Sequence, residues 1–529
     1  MSNQAKLDTF DNVVVLMLEN RSFDNLLGYL YEDGVPTGKS YEGLQNKTFK
    51  IPVPPRAKDY DQHKFIEPYQ AEDYHQPFPD PGEVYQHVNT QLFNHVDPDN
   101  LKVEACKMKS PYNIPEFMPL PPDKMQGFIN DYVNTLDALT GKKGKDYNNP
   151  GYNMYNKIMA CFKPAQIPVL TTLAKEFAVF DHWFCSVPSQ TWCNRAFWHA
   201  ATSGGEVVNP TDECGIIDKF EAMLRWRREV WPQSTIFERM ENKGVSHAVY
   251  TEDIASLTTM VNGPFKHQHT VHTGDKLIKF KKHINEGKLP QYTFLEPKFY
   301  GQHNDQHPSS ADWSPVDSRT HIGTVLLGEK LIWDVYTSLF VNPKSKYRDN
   351  TVLIITYDEH GGCFDHVPPP PAVPPKKGMI GDKNFGFDRL GVRVPMVMVS
   401  ANIQKNTIMN DVFDHSSFIK TMCTKWKMEG LTDRDKAASS FEEVFSLNKR
   451  DDFPSIPEPI IPEINSDSYN KDPLNDLQKS ILIGASFIAK NNTDNANIPI
   501  DYTQLKNINT VGEAHNFIAQ IRHLLPSKD

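Results

Sequence analysis

At 529 residues the chain is longer than one hydrophobic core usually serves, and its 39% apolar and 11% aromatic content is that of a folded globular protein. A formal net charge of -10 excludes a general polyanion binder, whose affinity is assembled from clustered Lys and Arg. No run of roughly 18–20 apolar residues is present to span a bilayer, and MSNQAKLDTFDN lacks the basic and apolar regions of a secretory signal. The expected location is therefore cytoplasmic, with export by a signal-independent route as the alternative.

In chain order, the apolar run from Val13 to Leu18 reads as a buried strand that ends in Glu19 and Asn20, followed by Arg21, Ser22, Phe23 and Asp24. Residues from about 44 to 123 are rich in Pro, Asp, His and Tyr with weak periodicity, which predicts an irregular insertion over one face. The segment SVPSQTWCNRAFWHAATSGG then offers a small-residue turn entering a helix, with Thr191, Asn194 and Arg195 at its start. Further strands are predicted at His247 to Thr251, Tyr292 to Glu296, Val352 to Thr356 and Val394 to Ser400. Between them, Leu327, Leu331, Val335 and Leu339 recur every four residues, a helix whose apolar stripe faces a sheet while Glu329, Lys330 and Asp334 face outward. Strands alternating with helical segments predict an α/β/α sandwich with a mostly parallel sheet. The organisation expected is a catalytic domain over 1–450, a Pro-rich linker over 451–473, and a small C-terminal helical appendix over 474–529, separable from the chemistry.

Polar groups placed directly after apolar strands carry the strongest functional signal. The first strand delivers Glu19 and Asn20; the fourth delivers Asp358 and Glu359, then His360, Gly361, Gly362, Asp365 and His366. If the two ends are neighbours, their carboxylates repel unless a cation lies between them. Oxygen ligands suit Mg, Mn or Ca, and added imidazole shifts the choice toward Zn, the ion expected first. The glycines would let backbone approach the metal or a phosphate closely. Thr191 needs an activating group to act as a nucleophile, for which a cation is the simplest source, and Arg195 could fork onto phosphate oxygens. Histidines 303, 307, 321 and 415, in irregular segments beside Asp305 and Asp414, suit metal ligation, phosphate binding or leaving-group protonation. The seven cysteines are scattered without a CxxC pair, which predicts free thiols rather than disulfides or a thiolate zinc site.

The segments LMLENRSFDNLLG, IPVLTTLAKEFAVFDHWFCSVPSQTWCNR, EP followed by DQHP, TVLIITYDEHGGCFDHVPPP, VRVPMVMVS and FDHSS occur in the order of the phosphoesterase family, which the chain resembles from about Asp11 to Asp435. That family contains bacterial phosphatidylcholine-specific and plant non-specific phospholipases C and related acid phosphatases, and is similar in fold to the alkaline phosphatase superfamily. The resemblance implies metal contacts from Glu19, Asn20, Asp358 and Glu359, and a nucleophile at Thr191, which also touches the metal. His307 and His366 are implied to contact phosphate or donate a proton, with His87 as a further candidate. The chain departs from the family's TxPNR motif by carrying Trp192 and Cys193 before Asn194. The implied activity is hydrolysis of a glycerophospholipid phosphodiester to diacylglycerol and a phosphorylated head group through a phosphothreonine. An acid phosphatase and a non-catalytic metal- or lipid-binding module are the alternatives. The substrate is a phospholipid or phosphate ester, met by peripheral membrane contact and without nucleic acid.

Overall fold

The computed structural model describes residues 3–525 apart from 75–76, 78, 118–124, 140–150, 264–268, 309–322, 462–469 and 492–501. His321 lies outside the described residues. Eight strands form the main sheet: β1 (Asn12–Leu18), β2 (Ala178–Phe180), β3 (His247–Thr251), β4 (Thr270–His272), β5 (Tyr292–Glu296), β6 (Thr351–Tyr357), β7 (Met396–Val399) and β8 (Thr407–Met409). Their order is β8-β2-β7-β6-β1-β5-β3-β4. All neighbours are parallel except β7, which runs antiparallel to both β6 and β2. The five strands predicted from sequence are all present. The three that were not, β2, β4 and β8, have three residues each, too few to show a period.

Every residue of β1 and of β6 is buried, although successive side chains point to opposite faces. Both faces of the sheet are therefore covered, the condition of a parallel sheet sandwiched by helices. The helices that matter below are α1 (Tyr85–Phe93), α2 (Phe128–Leu139), α3 (Pro168–Glu176), α4 (Thr191–Ala200), α5 (Ile216–Glu229), α6 (Gly323–Tyr336), α7 (His415–Lys425) and α8 (Asp476–Asn491). The segment over 44–123 is not wholly irregular, since it contains α1, whose residues 85–92 are all buried.

Three expectations change on folding. Glu329 of α6 is fully buried rather than outward. Its carboxylate accepts the N–H groups of Val169 (2.6 Å) and Leu170 (3.1 Å), donors in the first turn of α3 that have no partner within that helix. Burial pushes its carboxyl up to about 8 against those two donors. The cysteines are not all free: Cys106 and Cys214 form a disulfide across 108 residues of sequence, and the other five are buried thiols. Finally, the C-terminal segment is built into the body of the protein. Leu477, Ile481, Leu482 and Ile488 of α8 share a core cluster with Trp192, Trp226 and Met260. The Trp192 indole N–H donates to Ser480 Oγ (2.9 Å).

Candidate active site

β1 and β6 stay in register from Asn12 opposite Thr351 to Leu18 opposite Tyr357, so Glu19 and Asn20 leave the carboxyl edge of the sheet beside Asp358 and Glu359. Ligands of open α/β sheets bind at this edge. Hydrogen bonds continue the pairing past the strands: Asp358 N–H to Leu18 O (3.2 Å), Asn20 N–H to Asp358 Oδ1 (3.1 Å) and Arg21 N–H to Glu359 O (3.0 Å). The glycines of the second loop serve this approach. A Cβ on Gly361 would lie 2.3 Å from Asn20 O, and its φ of +62° is itself unfavourable to other residues. The close contact is between the two loops, where the sequence reading expected room for a metal or phosphate.

The N-terminus of α4 forms a third side. Gln190 caps the helix and Thr191 is its first residue, with its hydroxyl donating to Glu19 Oε2 (3.3 Å). Asn194 is not available as a donor to substrate: its side chain accepts from Val187 N–H (2.9 Å) and donates to Val187 O (3.1 Å), Ser189 O (2.7 Å) and Gln190 O (3.2 Å). It locks the turn that presents Thr191, the rigidity a proline would otherwise give. Arg195 is also largely engaged, with Nε and Nη2 on Glu19 Oε1 and Nη2 on Met17 O (3.2 Å). Nη1 has no acceptor among the described residues.

The loop after β5 closes a fourth side. Glu19 N–H donates to Asp305 O (2.9 Å), and Asp305 Oδ1 takes both His303 Nδ1 (2.7 Å) and the His307 N–H (3.0 Å). Histidine 415 binds the backbone carbonyl of Asp358 through Nε2 (2.7 Å) and accepts the Trp183 indole N–H through Nδ1 (3.3 Å), so it fixes β6's end. His366 lies in a different cluster. It contacts Asp24 (2.6 Å) and Glu42 (3.0 Å), while Arg393 bridges Asp24 (3.0 Å) and Asp365 (2.9 Å). Among the described residues His366 makes no bond to Glu19, Asn20, Thr191, Asp358 or Glu359, and the carboxylates around it have Arg393 and Lys47 as cationic partners.

The strand ends gather more negative charge than Arg195, paired with Glu19, offsets. Burial pushes Glu19 well above the usual carboxylate range, with Arg195 pulling against it and Asp358 and Asp305 adding to the push. Burial and then Asp358 do the same to Glu359. Asn20 Oδ1, Asp358 Oδ2 and Glu359 Oε1 are buried acceptors with no hydrogen-bond donor among the described residues. Buried oxygens left without donors at two adjacent strand ends are of the type that suits a hard or borderline divalent cation.

Beside the strand ends opens a cleft of about 360 Å³, walled by Asp80, Glu83, His87, Gln190, Asp212 and residues of α8, with the Cys106–Cys214 disulfide also lining it. The profile of the Phosphoesterase family matches residues 10–429. The chain belongs to the phosphoesterase family. Non-specific phospholipase C6 of Arabidopsis thaliana is 32% identical over 84% of this chain and 74% of its own length. Phospholipase C B of Mycobacterium tuberculosis is 25% identical over 59% of this chain and 60% of its own. Among solved structures, murine ectonucleotide pyrophosphatase/phosphodiesterase 5 is similar over 54% of this chain and 96% of its own, with 12% identity and a TM-score of 0.32. An alkaline phosphatase superfamily protein from Vibrio parahaemolyticus covers 54% of this chain and 67% of its own, with 15% identity and a TM-score of 0.31.

This phosphoesterase is thus a phosphoric ester hydrolase, and its site holds residues that sequence reasoning missed. Glu83 accepts from the Asn20 amide and from Gln190 Nε2 (3.5 Å). Burial, then Glu359 and Asp80, push Glu83 well above the usual range. Asp80 is pushed by burial up to about 7, with His307 opposing. Both residues sit in the Pro-rich stretch before α1, where no strand end marks them. His87, weakly indicated by sequence, lines the cleft with Nδ1 against Asp131 of α2 (2.7 Å). Burial acts to lower its pKa, but Asp131 outweighs it and leaves the imidazole above its ordinary value.

Proposed function

We propose that this phosphoesterase is a phospholipase C that hydrolyses the phosphodiester of glycerophospholipids such as phosphatidylcholine, giving diacylglycerol and a phosphorylated head group. The observation that carries the reading is the hydrogen bond from Thr191 to Glu19 at the centre of buried, mutually repelling carboxylates. Relatives named as phospholipases C along most of the chain support the substrate class. The adjoining cleft supports a diester, since it gives room for the second substituent on phosphorus.

Glu19, Asn20, Asp358, Glu359 and the Thr191 hydroxyl would hold a divalent cation, with zinc the leading choice and Ca, Mn or Mg the others. When bound, the cation would neutralise the carboxylates and lower the pKa of the threonine hydroxyl. Thr191 Oγ1 then attacks phosphorus, the diacylglycerol oxygen leaves, and water later releases the head group from the phosphothreonine. The N-terminus of α4 favours the negative phosphoryl group, and Arg195 Nη1 is the free donor beside it. Glu19 positions both Thr191 and Arg195. His87, kept basic by Asp131, is the cleft histidine suited to hand a proton to the departing oxygen.

The lipid substrate implies peripheral contact with a bilayer surface; among the described residues no helix is long and apolar enough to cross one. The Cys106–Cys214 disulfide favours an oxidising compartment, and hence the export route, over the cytoplasm. The test compares phosphatidylcholine, a chromogenic phosphocholine diester and a chromogenic phosphate monoester, each with and without chelator. Chelator-sensitive release of diacylglycerol is expected. Preference for the monoester would make the protein an acid phosphatase, and inertness toward all three would leave a binding module.

A further inference from the structure

We infer that Gln91 is a positioning residue for the reaction: acting through Asp131, it holds the ring of His87 in fixed register with the loop that follows β6. The inference rests on the reading of His87 as proton donor to the departing oxygen. It adds what keeps that donor and the strand-end carboxylates in one rigid unit.

The chain of contacts starts in the loop itself. His360, next to Glu359, is fully buried, and its Nε2 lies 2.7 Å from Gln91 Oε1. Gln91 Nε2 reaches Asp131 Oδ2 (2.9 Å) and Gly82 O (2.6 Å). Asp131 Oδ1 in turn meets His87 Nδ1 (2.7 Å). Gln91 and Asp131 are each only 1% exposed, so these links are shielded from water.

Donor and acceptor rules fix the direction of each bond. The Gly82 carbonyl can only accept, so the amide nitrogen of Gln91 must face it, and its second hydrogen goes to Asp131. The amide oxygen then faces His360, whose Nε2 carries the hydrogen. Burial holds the His360 imidazole down to about 4, which keeps that ring neutral. With one carboxylate oxygen taken by Gln91, Asp131 offers the other to the His87 Nδ1–H. His87 Nε2 is thereby left for the cleft that the residue lines, and it makes no hydrogen bond among the described residues.

Packing makes the assembly stiff. His87 and Gln91 stand one turn apart on α1, so their side chains share a face. A Cβ on Gly82 would lie 2.3 Å from the His87 ring, and one on Gly362 would lie 2.7 Å from Gly82 O, so the loop, the Gly82 segment and α1 are in direct contact. A proton donor works only within hydrogen-bond reach of the departing oxygen while the attacking oxygen is held at the strand ends. As the bond from phosphorus to the leaving oxygen breaks, the Nε2 proton passes to that oxygen, and the neutral ring keeps its Nδ1–H on Asp131.

The test uses leaving groups that differ in their need for a proton: 4-nitrophenolate departs without one, an alkoxide does not. The full chain is assayed on the phosphocholine diesters of hexanol and 4-nitrophenol, with the phosphate monoesters of both alcohols in parallel, so the comparison holds whichever ester the enzyme prefers. The readout is the ratio of kcat/KM for the nitrophenyl ester to that for the hexyl ester. It should rise roughly 10²-fold or more in His87→Gln and roughly tenfold or more in Asp131→Asn and Gln91→Met. The alkaline limb of the hexyl-ester profile should move to lower pH in Asp131→Asn, because the carboxylate that outweighs burial at His87 is gone. The other charged groups that share the cleft with His87, namely Asp80, Glu83, Asp212, Lys219, Asp476 and Lys479, are the same in every variant. Asp131→Asn keeps the shape of the side chain and serves if Gln91→Met misfolds. A ratio raised in His87→Gln but unchanged in Gln91→Met or Asp131→Asn would overturn the positioning role and leave the proton donor standing. A ratio unchanged in His87→Gln, or inertness toward all four esters, would overturn the reading beneath it and the positioning role with it.

Discussion

Leu18 lies directly opposite Tyr357 at the ends of two parallel strands, and this single register places Glu19 against Asp358. Thr191 reaches the same point from the start of a helix, with its hydroxyl 3.3 Å from Glu19. On this geometry Thr191→Ala should lower turnover by roughly 10³-fold or more while leaving Glu19, Asn20, Asp358 and Glu359 in place to hold the metal, and Thr191→Ser should stay within about tenfold of wild type. Acid-quenched enzyme should carry phosphate on the peptide containing Thr191. Cys193→Ala should matter little, because burial pushes that thiol well above its ordinary value and it donates to a backbone carbonyl, Glu206 O (3.4 Å). A fully active Thr191→Ala enzyme would point to attack by water.

The pH dependence of the metal-free protein follows from the sign of the carboxyl shifts. Glu19, Glu83 and Glu359 are raised in the folded state from 4.5, and Asp80 from 3.8 to about 7. The folded state then binds more protons than the unfolded one between those limits, so these groups remove stability as pH rises. The chelated protein should lose melting temperature as pH rises from about 4 through about 7 relative to the metal-loaded one. Parallel melting curves over that range would show that no cation compensates the carboxylates.

Glu329→Ala should destabilise the fold by about 1–3 kcal/mol, since it leaves two buried N–H groups of α3 without acceptors. Glu329 faces α3 and not the strand-end carboxylates, so kcat of the folded fraction should be unchanged. Denaturant unfolding with activity measured in parallel separates the two effects.

A chain ended at Arg450 should fold poorly, because it exposes the Trp192 side of the core that α8 covers. The gentler probe is Ser480→Ala, which removes the acceptor of the Trp192 indole and should cost about 1–3 kcal/mol. A truncated protein that melts normally and hydrolyses a soluble ester at the full rate would show α8 to be dispensable.

Thiol titration of the denatured, unreduced protein should give five free thiols, rising to seven after reduction. Cys106→Ser with Cys214→Ser should lower stability by about 2–4 kcal/mol, the usual range for a disulfide closing a long loop. Seven thiols without reduction would contradict the pairing.

What the sequence determined by itself lay in local pattern. Apolar runs of five to seven residues marked β1, β3, β5 and β6, and the acids directly after β1 and β6 were legible because a strand end fixes where the next side chain goes. The parallel sheet followed from alternation of strands with helices. Tertiary structure decided which partner each polar group finds, and those partners are distant in sequence: Glu83 with Asn20, Arg195 with Glu19, Arg393 with Asp24, Cys106 with Cys214. Periodicity placed Glu329 on the outward face of its helix, yet a second helix end lies there and takes up the carboxylate. Asn194, Arg195 and His366 have the right chemistry for a phosphate site, but folding engages Asn194, His366 and all of Arg195 except Nη1 with backbone and carboxylates before any substrate arrives. Donor and acceptor types can be read along the chain, whereas their pairing is set by which surfaces are buried together, and only the packed structure fixes that.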